Sequence, residues 1–220
     1  SFFKKKYYKF CEKLVSKSKA KLIFDSIAIK RYYSINHKVN GSVIYYASDF
    51  ENLTRKTINK KFIKCFVPMR FVKENNIEII INAIKKFNHI KLYLSGNKND
   101  YFKNTLSELI KNSKNIFYLG PVYCRKKLEN YWNSADFYIH GHSVGGTNPT
   151  LIEAISLSKP IISYNAIFNR LILNENYVFF NSEKELIKIL EEKKFLNVKP
   201  IKLNSNFKID KIHYQTFELF

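Results

Sequence analysis

The segment from His140 to Ala154, His-Gly-His-Ser-Val-Gly-Gly-Thr-Asn-Pro-Thr-Leu-Ile-Glu-Ala, combines residue types that suit the binding of a phosphate group. Asn148 is a favourable N-cap, and Pro149 then falls at the first helical position, where its missing N–H is not needed. Gly145 and Gly146 leave the backbone open to an approaching anion. Free N–H groups and the positive dipole end of a helix N-terminus attract phosphate. A capped helix after a glycine turn, without any ligand, is the alternative.

Two charged side chains extend this candidate site. Glu153 lies one turn inside the expected helix, from where its carboxylate can accept a hydrogen bond from a ribose hydroxyl. Arg70 directly follows a predicted strand, and a guanidinium can bind a diphosphate through two parallel hydrogen bonds. An ordinary surface position would explain an isolated Arg70 equally well. Because both Arg70 and the glycine segment follow strands of one sheet, a shared site is favoured.

These residues must be positioned by the secondary structure that the sequence predicts from residue 60 onward. Short runs of β-branched and aromatic residues alternate there with segments of helical periodicity, which is typical of βαβ units. Strands are expected at Phe62–Val67, Ile90–Leu94, Asn115–Leu119, Asp136–His140 and Pro160–Tyr164. Helices are expected at Asn76–Phe87, Tyr101–Asn112, Arg125–Ser134, Pro149–Leu157, Glu183–Lys193 and Phe207–Phe217. The predicted fold class is α/β, a Rossmann-like doubly wound parallel sheet, in which ligands bind beyond the carboxyl ends of the strands.

The first fifty residues are interpreted as the tail of a preceding α/β domain. Their expected elements are helices at Phe2–Ser16 and Ser26–Tyr33 and strands at Lys21–Phe24 and Ser42–Tyr46. The chain is accordingly divided into a remnant of an N-terminal domain (1–50), a Rossmann-like domain that contains the candidate phosphate site (51–204) and a C-terminal helix (205–220). We expect that last helix to pack back on the N-terminal part. The polar run from Glu51 to Lys61 is a candidate hinge.

The formal net charge of +20 limits the choice of partners. The lysines are spread along the whole chain and no nucleic-acid reader motif occurs, so nucleic acid is not expected as a partner. The basic and aromatic stretch from Lys4 to Phe10 suits an anionic membrane surface, where each lysine contributes about 1 kcal/mol. An AT-rich coding bias is the simplest explanation, because Lys, Asn, Ile, Tyr and Phe are all abundant.

Cysteine and histidine spacing gives no indication of a metal site. Cys11, Cys65 and Cys124 lie far apart and form no CxxC pair, which indicates reduced thiols and the cytoplasm. His140 and His142 flank Gly141 without a third ligand nearby in sequence.

Three segments of the sequence resemble one known family. They are Phe71-Val72-Lys73-Glu74-Asn75-Asn76, Tyr118-Leu119-Gly120-Pro121-Val122-Tyr123, and the stretch from Tyr138 to Pro149 that contains Gly145-Gly146-Thr147-Asn148. These segments look like the family-4 glycosyltransferases of bacterial polysaccharide assembly, which have the GT-B fold, and most of all like a rhamnosyltransferase-like branch. The similarity runs from about residue 20 to the C-terminus, where Tyr214 to Phe220 looks like the terminal helix of that family.

The resemblance implies an enzyme of two Rossmann-like domains, of which this chain contains mainly the C-terminal, donor-binding one. By the family pattern, Arg70 stabilises the departing diphosphate and Glu153 holds the ribose. Val122 and Tyr123 lie where the family binds the nucleotide base, and His142 is a candidate for a contact with the donor sugar or its diphosphate. Catalysis would then rest on electrostatic stabilisation of the leaving group and would need no metal. The family resemblance also implies retention of the anomeric configuration.

Two positions depart from the family pattern. Many members have two glutamates eight positions apart, and Glu153 matches only the second because Gly145 occupies the first place. They also have a lysine five residues after the arginine, where this chain has Asn75. Both changes look like those of the rhamnosyltransferase-like branch, and Lys73 is a candidate for restoring the lost positive charge.

The sequence therefore predicts a glycosyltransferase that transfers rhamnose from dTDP-rhamnose to a lipid-linked glycan in cell-surface polysaccharide synthesis. We expect it at the cytoplasmic face of the plasma membrane, with no cofactor besides the nucleotide-sugar donor. One alternative is the same fold acting on a UDP-hexose. Another is an inactive, truncated fragment that binds nucleotide or a partner protein.

Overall fold

The computed structural model describes residues 2–18, 20–50, 61–174, 177–198 and 212. The strands are β1 (Ile23–Phe24), β2 (Ser42–Val43), β3 (Ile63–Pro68), β4 (Ile90–Ser95), β5 (Ile116–Tyr118), β6 (Tyr138–His140), β7 (Ile161–Tyr164) and β8 (Val178–Phe180). The α-helices are α1 (Phe2–Lys17), α2 (Ile27–His37), α3 (Ile77–Lys85), α4 (Ser107–Lys111), α5 (Arg125–Ser134), α6 (Pro149–Ser156), α7 (Ile167–Leu173) and α8 (Glu183–Glu192). Short 3₁₀ segments occupy Lys73–Asn75 and Lys194–Asn197, and a π-helical segment occupies Phe102–Leu106.

The main sheet consists of two groups of three parallel strands, in the orders β3-β4-β5 and β6-β7-β8. A parallel bridge between Cys65 and Phe137 joins β3 to β6, so the spatial order is β5-β4-β3-β6-β7-β8. This arrangement confirms the predicted parallel α/β fold class. The strand order reverses between β3 and β6, and such a switch point places the loops after these two strands side by side.

Helical periodicity explains how α3 covers the sheet. Ile77, Ile80, Ile81 and Ile84 recur at spacings of three and four residues, and all four are fully buried. On α5, Trp132 is also fully buried, and its ring makes an edge contact with Phe66 of β3 at a centroid distance of 5.1 Å. These side chains belong to the core, as their positions in the sequence predict.

The N-terminal part has its own small parallel sheet, in which Ile23 of β1 is paired with Ser42 of β2. Side-chain contacts join this part to the main domain. Ser48 Oγ and Ser156 Oγ lie 2.9 Å apart, and Arg125 Nη1 lies 2.6 Å from an oxygen of Asp49. The predicted hinge falls mainly on residues 51–60, outside the described residues. The expected C-terminal helix likewise lies outside them, except for residue 212, so the domain boundaries stay predictions.

Four elements differ from the secondary structure that the sequence predicts. Helix α7 and strand β8 were not predicted, because a seven-residue helix without a side-chain cap and a three-residue strand carry weak periodic signals. The helix expected at Tyr101–Asn112 begins with the π-helical segment and ends in the short α4. The strand expected at Ser42–Tyr46 contains only the two residues of β2.

Candidate functional site

A pocket of about 330 Å³ opens at the carboxyl ends of β3 and β6. Its lining comes from the ends of both strands, the loops that follow them, the start of α6 and one residue of the N-terminal part. The lining residues are Tyr46, Pro68, Met69, Arg70, Asn75, Tyr138, His140, Gly141, His142, Asn148, Pro149 and Thr150. Four residues of the predicted site meet here, namely Arg70, Asn75, His142 and Asn148.

The loop after β3 and the loop after β6 are connected by a group of hydrogen bonds, which we call the loop clamp. It consists of Asn75 Oδ1 with His142 Nδ1 (2.8 Å), Asn76 Nδ2 with the carbonyl of Gly141 (2.8 Å), and the hydroxyl and amide of Ser143 with the carbonyl of Glu74 (2.8 and 2.9 Å). Three consecutive residues of one loop therefore bind three consecutive residues of the other. The clamp holds the two loops at a fixed separation.

Gly141 permits this close approach. A β-carbon at this position would overlap the carbonyl oxygen of Asn75 and would lie 3.0 Å from the Cδ1 atom of Ile80. Because a backbone oxygen cannot turn aside as a flexible side chain can, any larger residue would push the two loops apart. The contact with Asn75 is therefore what requires glycine here. Because the two loops meet only in the folded chain, the sequence alone did not indicate this requirement.

The N-terminus of α6 has the predicted capping arrangement. Asn148 is extended, with φ −98° and ψ 125°, and its side chain accepts a hydrogen bond of 3.0 Å from the amide of Thr150, while Pro149 occupies the first turn. Within the described residues, the backbone N–H groups of 145–148 make no hydrogen bond. These donors, together with the helix dipole, make the start of α6 suitable for an anion.

The two glycines of the segment have different structural roles. Gly145 adopts a φ of +95°, which favours glycine. Gly146 faces the N-terminal part, where an added β-carbon would overlap Asp25 Oδ1 and lie 2.8 Å from Ile29 Cδ1. Thr147 is buried and donates its hydroxyl hydrogen to the carbonyl of Asp25 at 2.7 Å. Gly145, Gly146 and Thr147 do not line the pocket, and the last two hold their loop against the connection between β1 and α2.

Arg70 is the charged side chain that lines the pocket. It is exposed, and no ion pair to its guanidinium occurs in the part of the chain that the structure describes. Its carbonyl accepts a hydrogen bond of 2.7 Å from Asn75 Nδ2, which fixes the backbone of the loop at this point. Lys73 is exposed on the 3₁₀ segment and does not line the pocket. The guanidinium of Arg70 is thus available to an anionic ligand.

His140 and Tyr138 form a buried polar pair in the wall of the pocket. The Tyr138 hydroxyl lies 2.8 Å from His140 Nδ1, and burial, with a contribution from His142, lowers the pKa of His140 to about 3. His140 is therefore uncharged at neutral pH. The rings of His140 and His142 are 6.1 Å apart, and the described residues contain no group of three side chains suited to hold a metal ion. This pair was not predicted from the sequence. Its signal in the sequence is the spacing of two residues, which places both side chains on the same face of β6.

Three further residues of the predicted site are also absent from the pocket lining. Glu153 is partly buried on α6 and accepts a hydrogen bond of 3.2 Å from Trp132 Nε1. Burial raises the pKa of Glu153, while Trp132 and Arg125 act in the opposite direction. Tyr123 is 81% exposed and its hydroxyl donates to Asn97 Oδ1, and Val122 beside it is partly buried. Their predicted contacts with the ribose and the base stay predictions.

Comparison with known proteins assigns the family. The sequence matches the family described as glycosyl transferases group 1 over residues 49–198. The chain belongs to this family. It is also 25% identical over 175 residues to Protein CapJ of Staphylococcus aureus, a match that covers 74% of this chain and 44% of CapJ. The chain thus spans less than half the length of this relative.

Solved structures show the same fold. A glycosyltransferase from Rickettsia africae ESF-5 superposes with a TM-score of 0.73 at 18% identity, over 91% of this chain and 62% of that protein. The pneumococcal O-GlcNAc transferase GtfA, solved in complex with UDP and GlcNAc, superposes with a TM-score of 0.68 at 15% identity, over 97% and 47% of the two chains. At these identities the likeness establishes the GT-B type of fold and nothing finer.

Proposed function

We propose that this chain is the donor-binding part of a glycosyltransferase that uses a nucleotide diphosphate sugar. The observation that carries the proposal is that Arg70 and the N-terminus of α6 line one pocket, at the switch point of a doubly wound sheet. A guanidinium that has no ion pair within the described part of the chain and a helix N-terminus are both groups that bind phosphate. Membership of the glycosyl transferases group 1 supports the same reading.

The proposed chemistry follows from where negative charge develops. When the glycosidic bond of the donor breaks, charge accumulates on the departing diphosphate, and only interactions that strengthen at that stage accelerate the step. The Arg70 guanidinium can form two parallel hydrogen bonds to phosphate oxygens, and the positive end of α6 adds a fixed dipole. These groups would stabilise the leaving group without a metal ion, and we propose retention of the anomeric configuration.

For the donor we propose dTDP-rhamnose, and for the acceptor a lipid-linked glycan of cell-surface polysaccharide synthesis. This choice is supported by the resemblance of Tyr138–Pro149 to the rhamnosyltransferase-like branch. A UDP-hexose is the second candidate, because GtfA, which shares the fold, was solved with UDP. The two donors differ in the base and the ribose as well as in the sugar, so free nucleotides can distinguish them.

We further propose that α1 attaches the protein to an anionic membrane surface. Among the described residues, no helix combines the length and the apolar character needed to cross a bilayer. Phe3, Tyr7, Tyr8 and Phe10 on α1 are all more than half exposed, and lysines lie between them. Aromatic side chains suit the lipid interface, and lysines are attracted to acidic headgroups. Co-sedimentation with vesicles of phosphatidylglycerol, but not of phosphatidylcholine alone, is the expected result.

Isothermal titration of the chain with dTDP and with UDP tests the proposed site. We expect dTDP to bind more tightly than UDP, whereas tighter UDP binding would favour the UDP-hexose alternative. Arg70→Ala should weaken dTDP binding about tenfold, near the lower limit for a hydrogen-bonded charged group because Arg70 is exposed. Arg31→Ala, which removes an exposed arginine of α2 outside the pocket lining, is the matched control. If neither nucleotide binds, the proposed function is wrong.

Transfer of sugar needs a separate measurement, because the chain spans only part of its relatives. Transfer activity of this chain should be compared with that of a longer protein that includes a complete acceptor domain. Nucleotide binding without transfer in this chain, together with transfer in the longer protein, is the expected pattern. Absence of transfer by both would favour an inactive nucleotide-binding protein.

A further inference from the structure

The two ends of the Asn75 amide have different partners, and this determines the protonation of His142. Asn75 Nδ2 donates to the carbonyl of Arg70 at 2.7 Å, and a carbonyl can only accept a hydrogen bond. Asn75 Oδ1 is therefore the atom that lies 2.8 Å from His142 Nδ1. Because Oδ1 can only accept, the hydrogen must reside on His142 Nδ1. In the neutral ring, Nε2 then carries a lone pair and accepts hydrogen bonds.

The surroundings of His142 favour this neutral form. Burial lowers the pKa of His142, the nearby positive charge of Arg70 lowers it further, and Glu74 acts in the opposite direction. His140 of β6 lies against the same ring and is itself uncharged at neutral pH, and from α7 the ring meets Phe168, which carries no charge. The elements around His142 thus supply one cation, one carboxylate and two uncharged rings.

His142 Nε2 lies beside the glycine segment that begins α6. It is 3.6 Å from the position that a β-carbon on Gly145 would occupy, and it makes no hydrogen bond within the described residues. Gly145 has no side chain to cover it, and His142 lines the pocket that also contains Arg70. His142, which lines the pocket, therefore has an unused acceptor atom beside the glycine segment.

A phosphate oxygen cannot bond to such an acceptor. At neutral pH the bridging diphosphate of a nucleotide sugar carries no proton, so its oxygens would meet the Nε2 lone pair with repulsion. A hydroxyl group has a hydrogen to donate. We propose that His142 Nε2 accepts a hydrogen bond from a hydroxyl of the donor's sugar, and that Asn75 is the residue that positions the ring. This inference rests on the proposed function and divides the pocket into a phosphate side at Arg70 and α6 and a sugar side at His142.

Titration of paired ligands tests the sugar contact. The probes are dTDP with dTDP-rhamnose, or UDP with UDP-glucose if UDP is the nucleotide that binds. His142→Ala should reduce the affinity for the sugar nucleotide about three- to tenfold, the effect of one hydrogen bond, and change the affinity for the free nucleotide less than twofold. An equal loss for both ligands, a loss confined to the free nucleotide, or no loss would overturn the inference while leaving the proposed function intact. Failure of both free nucleotides to bind the unmodified chain would remove the proposed function itself.

The tautomer can be measured without any ligand. Long-range ¹H–¹⁵N correlation spectra of the unmodified chain at pH 7 should show His142 with its proton on Nδ1. In Asn75→Leu, which is close in volume but cannot accept the hydrogen bond, the ring should shift toward the Nε2–H form. His89, which immediately precedes β4 and is absent from the pocket lining, is an internal control, and its ring signals should not change. An Nε2–H or doubly protonated His142 in the unmodified chain would overturn the inference.

Discussion

Replacement of Gly141 by alanine should separate the two loops that form the pocket. The added β-carbon would overlap the carbonyl oxygen of Asn75, and the fully buried Ile80 lies on the other side. Forcing one extra carbon into such a site costs about 1–3 kcal/mol. If the loops part completely, the clamp of four hydrogen bonds is lost, each contributing about 0.5–1.5 kcal/mol. Complete separation would thus cost about 2–6 kcal/mol, and because partial separation keeps some of these bonds we expect a loss of about 2–4 kcal/mol in the free energy of unfolding.

The same change should weaken nucleotide binding, because the side chain of Asn75 holds the carbonyl of Arg70 and so fixes the loop that carries the guanidinium. We expect the affinity for dTDP to fall about tenfold, which corresponds to roughly 1.4 kcal/mol. Urea denaturation measures the first effect and isothermal titration the second. A folded domain of ordinary stability, about 5–15 kcal/mol, should tolerate the substitution and remain measurable.

Gly41→Ala is the matched control for this experiment. A β-carbon on Gly41 would also overlap a backbone oxygen, that of Leu22, but this contact lies between β1 and β2 and outside the pocket lining. It should lower stability and leave dTDP affinity within twofold. Equal loss of affinity in both variants would show that general destabilisation, and not the loop clamp, controls binding. Unchanged stability in Gly141→Ala would refute the close contact itself.

Substitutions at three residues test the other parts of the site. In a longer protein that includes a complete acceptor domain, Arg70→Ala should lower kcat by orders of magnitude with a small change in donor KM. Arg70→Lys should recover only part of the loss, because an ammonium lacks the planar fork of a guanidinium. Unchanged turnover in Arg70→Ala would exclude a role of Arg70 in stabilising the leaving group. Glu153→Gln should weaken nucleoside binding roughly tenfold if the carboxylate accepts a hydrogen bond from a hydroxyl of the nucleoside's pentose, which in dTDP is the 3′-hydroxyl, and titrations with dTDP check this. Burial raises the pKa of Glu153, so any stability linked to its protonation is present at low pH and lost as pH rises through the folded-state pKa. Glu153→Gln should therefore stabilise the chain more at pH 7 than at pH 4 in thermal unfolding, and the reverse order would contradict the burial. Gly146→Val should lower the unfolding temperature as well as dTDP affinity, because the valine side chain would overlap Asp25. An unchanged unfolding temperature would show that the contact between residue 146 and Asp25 is absent.

The sequence alone determined most of the fold. The buried face of α3, the strands β3, β4 and β6 and the cap of α6 by Asn148 depend on residues close together in the chain. Such short-range patterns report periodicity and capping directly. Repeated alternation of strands and helices then required a parallel sheet, and the position of Arg70 after β3 placed it at a carboxyl end.

The tertiary structure decided which side chains meet. Asn75 and His142 are 67 residues apart, and their contact depends on β3 and β6 being neighbours at the switch point of the sheet. Gly146 faces Asp25 because the N-terminal part packs against the loop, whereas the sequence explained this glycine only by an approaching anion. Glu153 of α6 also has a partner that is distant in sequence, the indole of Trp132 on α5. Local sequence specifies what a residue can do chemically, but the partner that uses this capacity is set by long-range packing, which has no periodic signal in a single sequence.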